Sequence, residues 1–181
     1  MHEDTGSRAN GVTADANEIY FIGNYVYDVE GLAFGGWTHD NVGFINNSIE
    51  DCGGGIDDSG HTYAVIVNNI FGTMTDPNLQ HINLDDSDYK NASIVYNNLF
   101  KDEPDVDSPN NDYQQGDPLY VDVENYDLRV AAESDAIDNG TTSDIYDLFY
   151  EYYGVNIEID RFGTARPQNG TWDIGAYEKE E

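Results

Sequence analysis

Basic side chains are the scarcest charged groups in this chain of 181 residues: seven Lys and Arg stand against 36 Asp and Glu, for a formal net charge of -29. A field of that sign repels phosphate backbones and anionic lipid, which excludes nucleic acid and the membrane surface as partners. Cysteine occurs once, at Cys52, so there is no intramolecular disulfide and no basis for a thiolate zinc site. No apolar run approaches the roughly 20 residues of a membrane span. The opening Met1-His2-Glu3-Asp4 reads as too polar for a secretory leader. The acidity itself has two readings: solubility in salty surroundings rich in divalent ions, or metal coordination.

What the chain does have is repetition. Asn24, Asn47, Asn69 and Asn98 each close one short phrase: Phe21-Ile22-Gly23-Asn24, Phe44-Ile45-Asn46-Asn47, Ile66-Val67-Asn68-Asn69 and Val95-Tyr96-Asn97-Asn98, at steps of 23, 22 and 29 residues. A unit this short cannot hold two packed helices, and its apolar alternation is that of strands. The expected fold is therefore all-β, a right-handed parallel β-helix of about four to five coils, with the four Asn stacked along the axis as structural rungs. Gly11-Val12 already reads as the tail of a coil, so the chain is expected to open mid-solenoid, with further coils of the same protein upstream.

Aligned on the Asn, the inward columns read Ile19/Val42/Ala64/Ser93, then Phe21/Phe44/Ile66/Val95, then Val26/Ile49/Phe71/Phe100. After a turn, a third strand carries Val12, Leu32, Ile56 and Ile82 inward, followed by Ala14, Phe34, Asp58 and Leu84. Its outward columns become Gly11/Gly31/Gly55/His81, Thr13/Ala33/Asp57/Asn83 and Asp15/Gly35/Ser59/Asp85. A floor of small residues leading to polar groups suits an extended ligand lying along the sheet. The plainer alternative is that the Gly mark tight turns and Asp57 is a solvated strand residue. Extra loop length at 35–41, 73–80 and 85–91 borders this face, where loops on a rigid scaffold carry function.

Residues 1–101 are expected to hold the coils, and 102–181 the last strands and a closing segment. Lys101–Gln115 reads as an acidic connector, and Pro118–Val121 and Tyr126–Val130 as strands prolonging the solenoid. Ser143 is placed as the N-cap of a helix near 144–153, with Asp144 and Asp147 in its first turns and Gly154 as its left-handed stop. Ile145, Leu148, Phe149 and Tyr152 would form its apolar stripe, laid as a lid across the last coil.

Glycoside cleavage needs two carboxyl groups astride the bond, or, in a lyase, a base beside a cation. The repeat region holds only Arg8, Lys90 and Lys101 as cations, which disfavours the lyase. The catalytic candidates are Asp57, Asp85, Asp58 and His81. Asp57 and Asp85, on neighbouring coils and two residues apart along the strand, would lie roughly 8 Å apart, inside the ~6.5–9.5 Å span of inverting glycosidases. Asp58, in an inward column, would have a raised pKa suited to a general acid unless the strand bends early. Trp37 could stack on a sugar ring or pin its own loop. Asn83, His61 and His39 complete the candidate substrate contacts. Asp86 and Asp88, in Asp85-Asp86-Ser87-Asp88, are either a solvated acidic loop or a calcium loop lacking EF-hand spacing. No cofactor is required, and calcium is the one metal considered.

The tail phrases Ser134–Gly140, Asp160-Arg161-Phe162-Gly163-Thr164-Ala165-Arg166-Pro167 and Asp173-Ile174-Gly175-Ala176-Tyr177-Glu178 resemble the closing segment of secreted right-handed β-helix proteins of the pectate-lyase-like and polygalacturonase-like class. With Asp147–Gly154, the chain is most similar to the disaggregatase-related proteins of methanogenic archaea. The resemblance implies an extracellular or cell-surface protein whose partner is a polysaccharide. It also implies a glycoside hydrolase acting on the acidic, chondroitin-like coat that holds cells in aggregates. The alternatives are a non-catalytic carbohydrate-binding or structural surface module, with any catalysis upstream, and a calcium-stabilised surface-layer element.

Overall fold

A computed structural model describes residues 12–14, 18–36, 41–57, 63–84, 91–108, 111–142, 144–168 and 170–180. These residues are mostly β, with one large parallel sheet and a single α-helix. The strands are β1 (Val12–Ala14), β2 (Glu18–Ile22), β3 (Tyr25–Gly36), β4 (Asn41–Ile45), β5 (Ser48–Asp57), β6 (Ala64–Val67) and β7 (Ile70–Phe71). They continue as β8 (Ile82–Asn83), β9 (Ile94–Phe100), β10 (Val106–Asp107), β11 (Asn111–Gln115), β12 (Tyr120–Asp122) and β13 (Asp127–Val130), before the helix α1 (Asp144–Tyr153).

Every pairing in the large sheet is parallel, and its main path runs β1-β3-β5-β7-β9-β6-β4-β2. The first columns fall where the repeat puts them. Phe21, Phe44, Ile66 and Val95 stand side by side, as do Val26, Ile49, Phe71 and Phe100. Together with Phe34, Ile56 and Ile82 they converge on one core, in which Phe71 stacks on Phe100 with ring centres 4.7 Å apart.

The residue before each Asn rung explains the turn. Gly23, Asn46, Asn68 and Asn97 all adopt left-handed φ, between 52° and 65°, the conformation that Gly and Asn tolerate best. The rungs then bond in series. The Oδ1 of Asn47 accepts from both the backbone N–H and the Nδ2 of Asn24, at 3.0 Å each. Asn69 does the same for Asn47, and Asn98 for Asn69, at 2.9 Å in each case. The series ends where Tyr113 pairs with Asn98.

Four expectations are corrected. The turn between the second and third strands does not break the strand: β3 and β5 run through it, with Asp28 and Asp51 at φ 54° and 51°. β3 carries one extra residue there, a bulge between Val29 and Leu32. Phe34, not Leu32, therefore pairs with Ile56, and Leu32 lies over Gly54. The Lys101–Gln115 connector contains β10 and β11, which pair with β8 and β9. β12 and β13 do not prolong the array but form a separate antiparallel hairpin.

The helix also differs. Gly154 ends it at φ +66°, its N–H donating to the Tyr150 carbonyl at 2.8 Å, while Ser143 lies outside the described residues. Half of the expected stripe packs: Ile145 and Phe149 lie partly buried against the cluster of Ile45, Ile157 and Trp172, whereas Leu148 is 42% and Tyr152 77% exposed, and the buried residue of the helix is Tyr146. The Tyr146 hydroxyl donates to Asn46 Oδ1 and accepts from Asn68 Nδ2, and its ring lies 4.3 Å from Trp172. Phe149 packs edge-on to Tyr20 of β2, at 5.0 Å. The helix thus lies against the outer side of β2, β4 and β6 rather than across the last course. No helix among the described residues is long and apolar enough to cross a membrane.

Candidate functional site

The corrected register assembles one outward row. Thr13 pairs with Gly35, Gly35 with Asp57, Asp57 with Asn83 and Asn83 with Asp107. Phe34, Ile56 and Ile82, the residues just before three of these, are buried, so strand alternation turns the row away from the core. Asp57, Asn83 and Asp107 are half-buried and each is engaged by further contacts. With strands about 4.8 Å apart, two spacings put the Asp57 and Asp107 backbones about 9.6 Å apart, with the Asn83 amide between them. Side chains leaning toward one another from backbones that far apart bring their carboxyl groups into the ~6.5–9.5 Å span with which inverting hydrolysis brackets a glycosidic bond and a water.

Asp107 is the residue that sequence reasoning missed. Its signal is an apolar residue followed by Asp or Asn, recurring as Ile56-Asp57, Ile82-Asn83 and Val106-Asp107. The bulge also removes the expected small-residue floor. Ala33 is fully buried in the core cluster, and Gly35, not Ala33, stands beside Asp57. Gly53 and Gly55 are close-packing glycines: a Cβ on either would strike the backbone carbonyl of Glu30 or His81.

His81 is not on the outward face. It is buried, with its ring edge-on to Phe100 at 5.4 Å and to Phe71 at 6.3 Å. The Asp105 N–H donates to its Nδ1 at 3.1 Å, and its Nε2 is buried without a hydrogen-bond partner. Burial lowers its pKa from the usual imidazole range, against the opposing pull of Asp102 and Asp105. A neutral ring in the core is a packing group and is poorly placed for proton transfer to a ligand on the row. Cys52 is likewise fully buried, its thiol pushed up to about 12 by burial.

Asp58, Asp85, Trp37, His61 and His39, with Asp86 and Asp88 of the calcium reading, lie outside the described residues. Among the described residues there is no group of three or more His, Cys, Asp or Glu arranged to hold a metal ion. The four rung residues Asn24, Asn47, Asn69 and Asn98 are brought together as described above.

A second feature is a cleft of about 360 Å³ between α1 and β2, lined by Tyr20, Phe149, Tyr152 and Tyr153 among others. The Tyr153 hydroxyl donates to Glu18 Oε2 at 2.9 Å. No family model matches the chain, and no curated protein or solved structure gives a significant match to it.

Proposed function

We propose that the chain is a right-handed parallel β-helix from a secreted or cell-surface protein, and that it cleaves an acidic polysaccharide laid along the Gly35-Asp57-Asn83-Asp107 row. Support for the winding comes from the all-parallel register, the three columns meeting in one core, and the strong preference of parallel crossovers for the right hand. The tail phrases that resemble closing segments of β-helix polysaccharide enzymes agree with it, and so does their likeness to disaggregatase-related proteins.

The observation that carries the chemistry is Asp57 and Asp107 flanking Asn83 on adjacent strands. One carboxyl would protonate the leaving oxygen while the other activates water, with the Asn83 amide orienting the sugar between them. No metal enters this scheme, and calcium remains an alternative for the Asp86–Asp88 loop. The test is release of reducing ends from an acidic polysaccharide. Asp57→Asn and Asp107→Asn should each cut turnover by roughly 10²–10⁴-fold while leaving the circular dichroism spectrum and melting temperature unchanged. Full activity in both variants refutes the assignment.

A non-catalytic carbohydrate-binding module is the second reading, favoured by the tyrosine-lined cleft against α1. It predicts retention of the polysaccharide without any release of reducing ends, in the wild type as in the variants.

A further inference from the structure

At the other end of β3 from the acidic row lies a cleft of about 460 Å³, lined by Tyr25, Tyr27, Tyr126, Arg129, Arg161 and Phe162, with Asn125 and Asp127. Two of the chain's seven basic residues meet there. Against a net charge of -29 that concentration is the departure to be explained.

The two arginines are in different states. Arg129 is held by Asp127 in a two-point pair, with Nε 2.8 Å from Oδ1 and a terminal nitrogen on Oδ2. The same contact keeps the Asp127 carboxyl below its usual range. That pair is close to neutral and serves as a wall. Arg161 makes no ion pair among the described residues; its guanidinium lies 4.2 Å over the Tyr25 ring and 5.7 Å from Phe162. The neighbouring Asp160 is committed elsewhere, its Oδ1 accepting from the Phe162 and Thr164 N–H groups and its Oδ2 from Glu178. Arg161 therefore keeps an unspent fork of donors, backed by an aromatic face that orients it.

Flat apolar surface flanks the fork. Tyr27 stacks on Tyr126 with ring centres 4.2 Å apart and planes within 15°, and Tyr27 and Phe162 are 40% and 60% exposed. A planar cation beside exposed rings matches a pyranose that bears an anionic group: the anion takes the guanidinium fork, and the sugar's C–H face takes the ring. We infer that the Arg161 cleft is a second saccharide site, separate from the acidic row, that binds an anionic sugar residue through Arg161. That the ligand is a sugar rests on the polysaccharide reading above; that it carries a negative charge rests on Arg161 alone. Remote carboxylates of the protein do not cancel this contact, because at 0.15 M salt their field is screened beyond about 8 Å.

Isothermal titration of the intact chain with three probes tests the inference: a galacturonate tetrasaccharide, a sulfated and uronate-free carrageenan tetrasaccharide, and neutral galactotetraose. Binding of either anionic probe at least about ten-fold tighter than the neutral one supports it, and the one that binds identifies carboxylate or sulfate as the anion. Arg161→Gln should weaken that binding by at least about ten-fold with an unchanged melting temperature, and Arg161→Lys should recover only part, since ammonium cannot fork. The same titrations in an Asp57→Asn/Asp107→Asn background, which cannot turn the probes over, should keep the ten-fold loss on Arg161→Gln, so failure of the hydrolase reading leaves this result standing. Equal binding of the neutral probe, no binding of either anion, or an indifferent Arg161→Gln overturns the inference.

Discussion

Asn69→Ala removes a middle rung of the Asn series, and its cost can be worked out bond by bond. Asn69 is fully buried. Its Nδ2 donates to the Phe44 carbonyl at 2.8 Å and to Asn98 Oδ1 at 2.9 Å, with a longer contact to the Val67 carbonyl at 3.2 Å. Its Oδ1 accepts from the N–H and Nδ2 of Asn47, both at 2.9 Å. Alanine would orphan the Asn47 backbone N–H in the core and take an acceptor from Asn47 Nδ2 and a donor from the Phe44 carbonyl, while Asn47 Nδ2 keeps the Phe21 carbonyl at 2.9 Å and Asn98 Oδ1 keeps the Asn69 backbone N–H at 2.9 Å. An unsatisfied buried group costs about 1–3 kcal/mol and an ordinary hydrogen bond lost about 1 kcal/mol, so about 4 kcal/mol is expected from these groups after partial relaxation. Asn24 is the contrasting case. It is half-buried, and as the donor-side end of the series it supplies only its Nδ2 to Asn47. Its alanine variant should cost about 1 kcal/mol, the net worth of one ordinary hydrogen bond. Urea unfolding followed by circular dichroism measures both. Equal losses in the two variants would refute the view that the rungs carry their weight through burial.

Two further outcomes are expected. Arg166 pairs with Glu178 at 3.0 Å with side chains 0% and 1% exposed, and also donates to the carbonyls of Asp173 and Gly175. Arg166→Leu should destabilise the fold by about 3–5 kcal/mol, and adding Glu178→Leu should recover only part of the loss, because it removes the unpaired buried charge but strands the Gln168 and Asp173 N–H groups that the carboxylate accepts from; a near-neutral single variant in urea unfolding would contradict this. Burial lowers the His81 pKa, so the unfolded chain takes up the proton that the folded one resists. Stability should therefore fall as pH drops through about 6.5 toward the folded pKa and then level off. His81→Gln should show a smaller drop in melting temperature between pH 7.5 and 5.5 than wild type, and an identical drop would remove His81 as the cause.

The columns nearest the Asn rungs were legible because two signals agreed there, a fixed period and strict alternation, leaving no freedom in register. Legibility decayed with distance from that anchor. The bulge between Val29 and Leu32 is a one-residue choice with no composition of its own; the expected register puts the extra residue on the other strand, so the third column lies two residues on, at Phe34 instead of Leu32. The acidic row was half legible: Asp57 and Asn83 were paired from the repeat, whereas Asp107 was hidden in a stretch whose acidity reads as linker. Tyr146 could not have been singled out at all. Its partner Asn46 lies 100 residues away, and nothing local separates it from the helix's other tyrosines. His81 shows the converse error, since a polar residue next to an apolar one reads as outward until its neighbours Phe71 and Phe100 are seen to enclose it.

The second asparagine column, the one in left-handed conformation, has a mechanical consequence. Asn46, Asn68 and Asn97 reach Gly175, Thr141, Tyr146 and Asn139, so one C-terminal stretch is fastened to three successive rows at once. Stacks held only by nearest neighbours can fray from an end, one layer after another. A strap sewn through several layers ties their fates together, and the chain should come apart in a single sharp step when heated or pulled, with severance of residues 139–175 converting that step into gradual peeling.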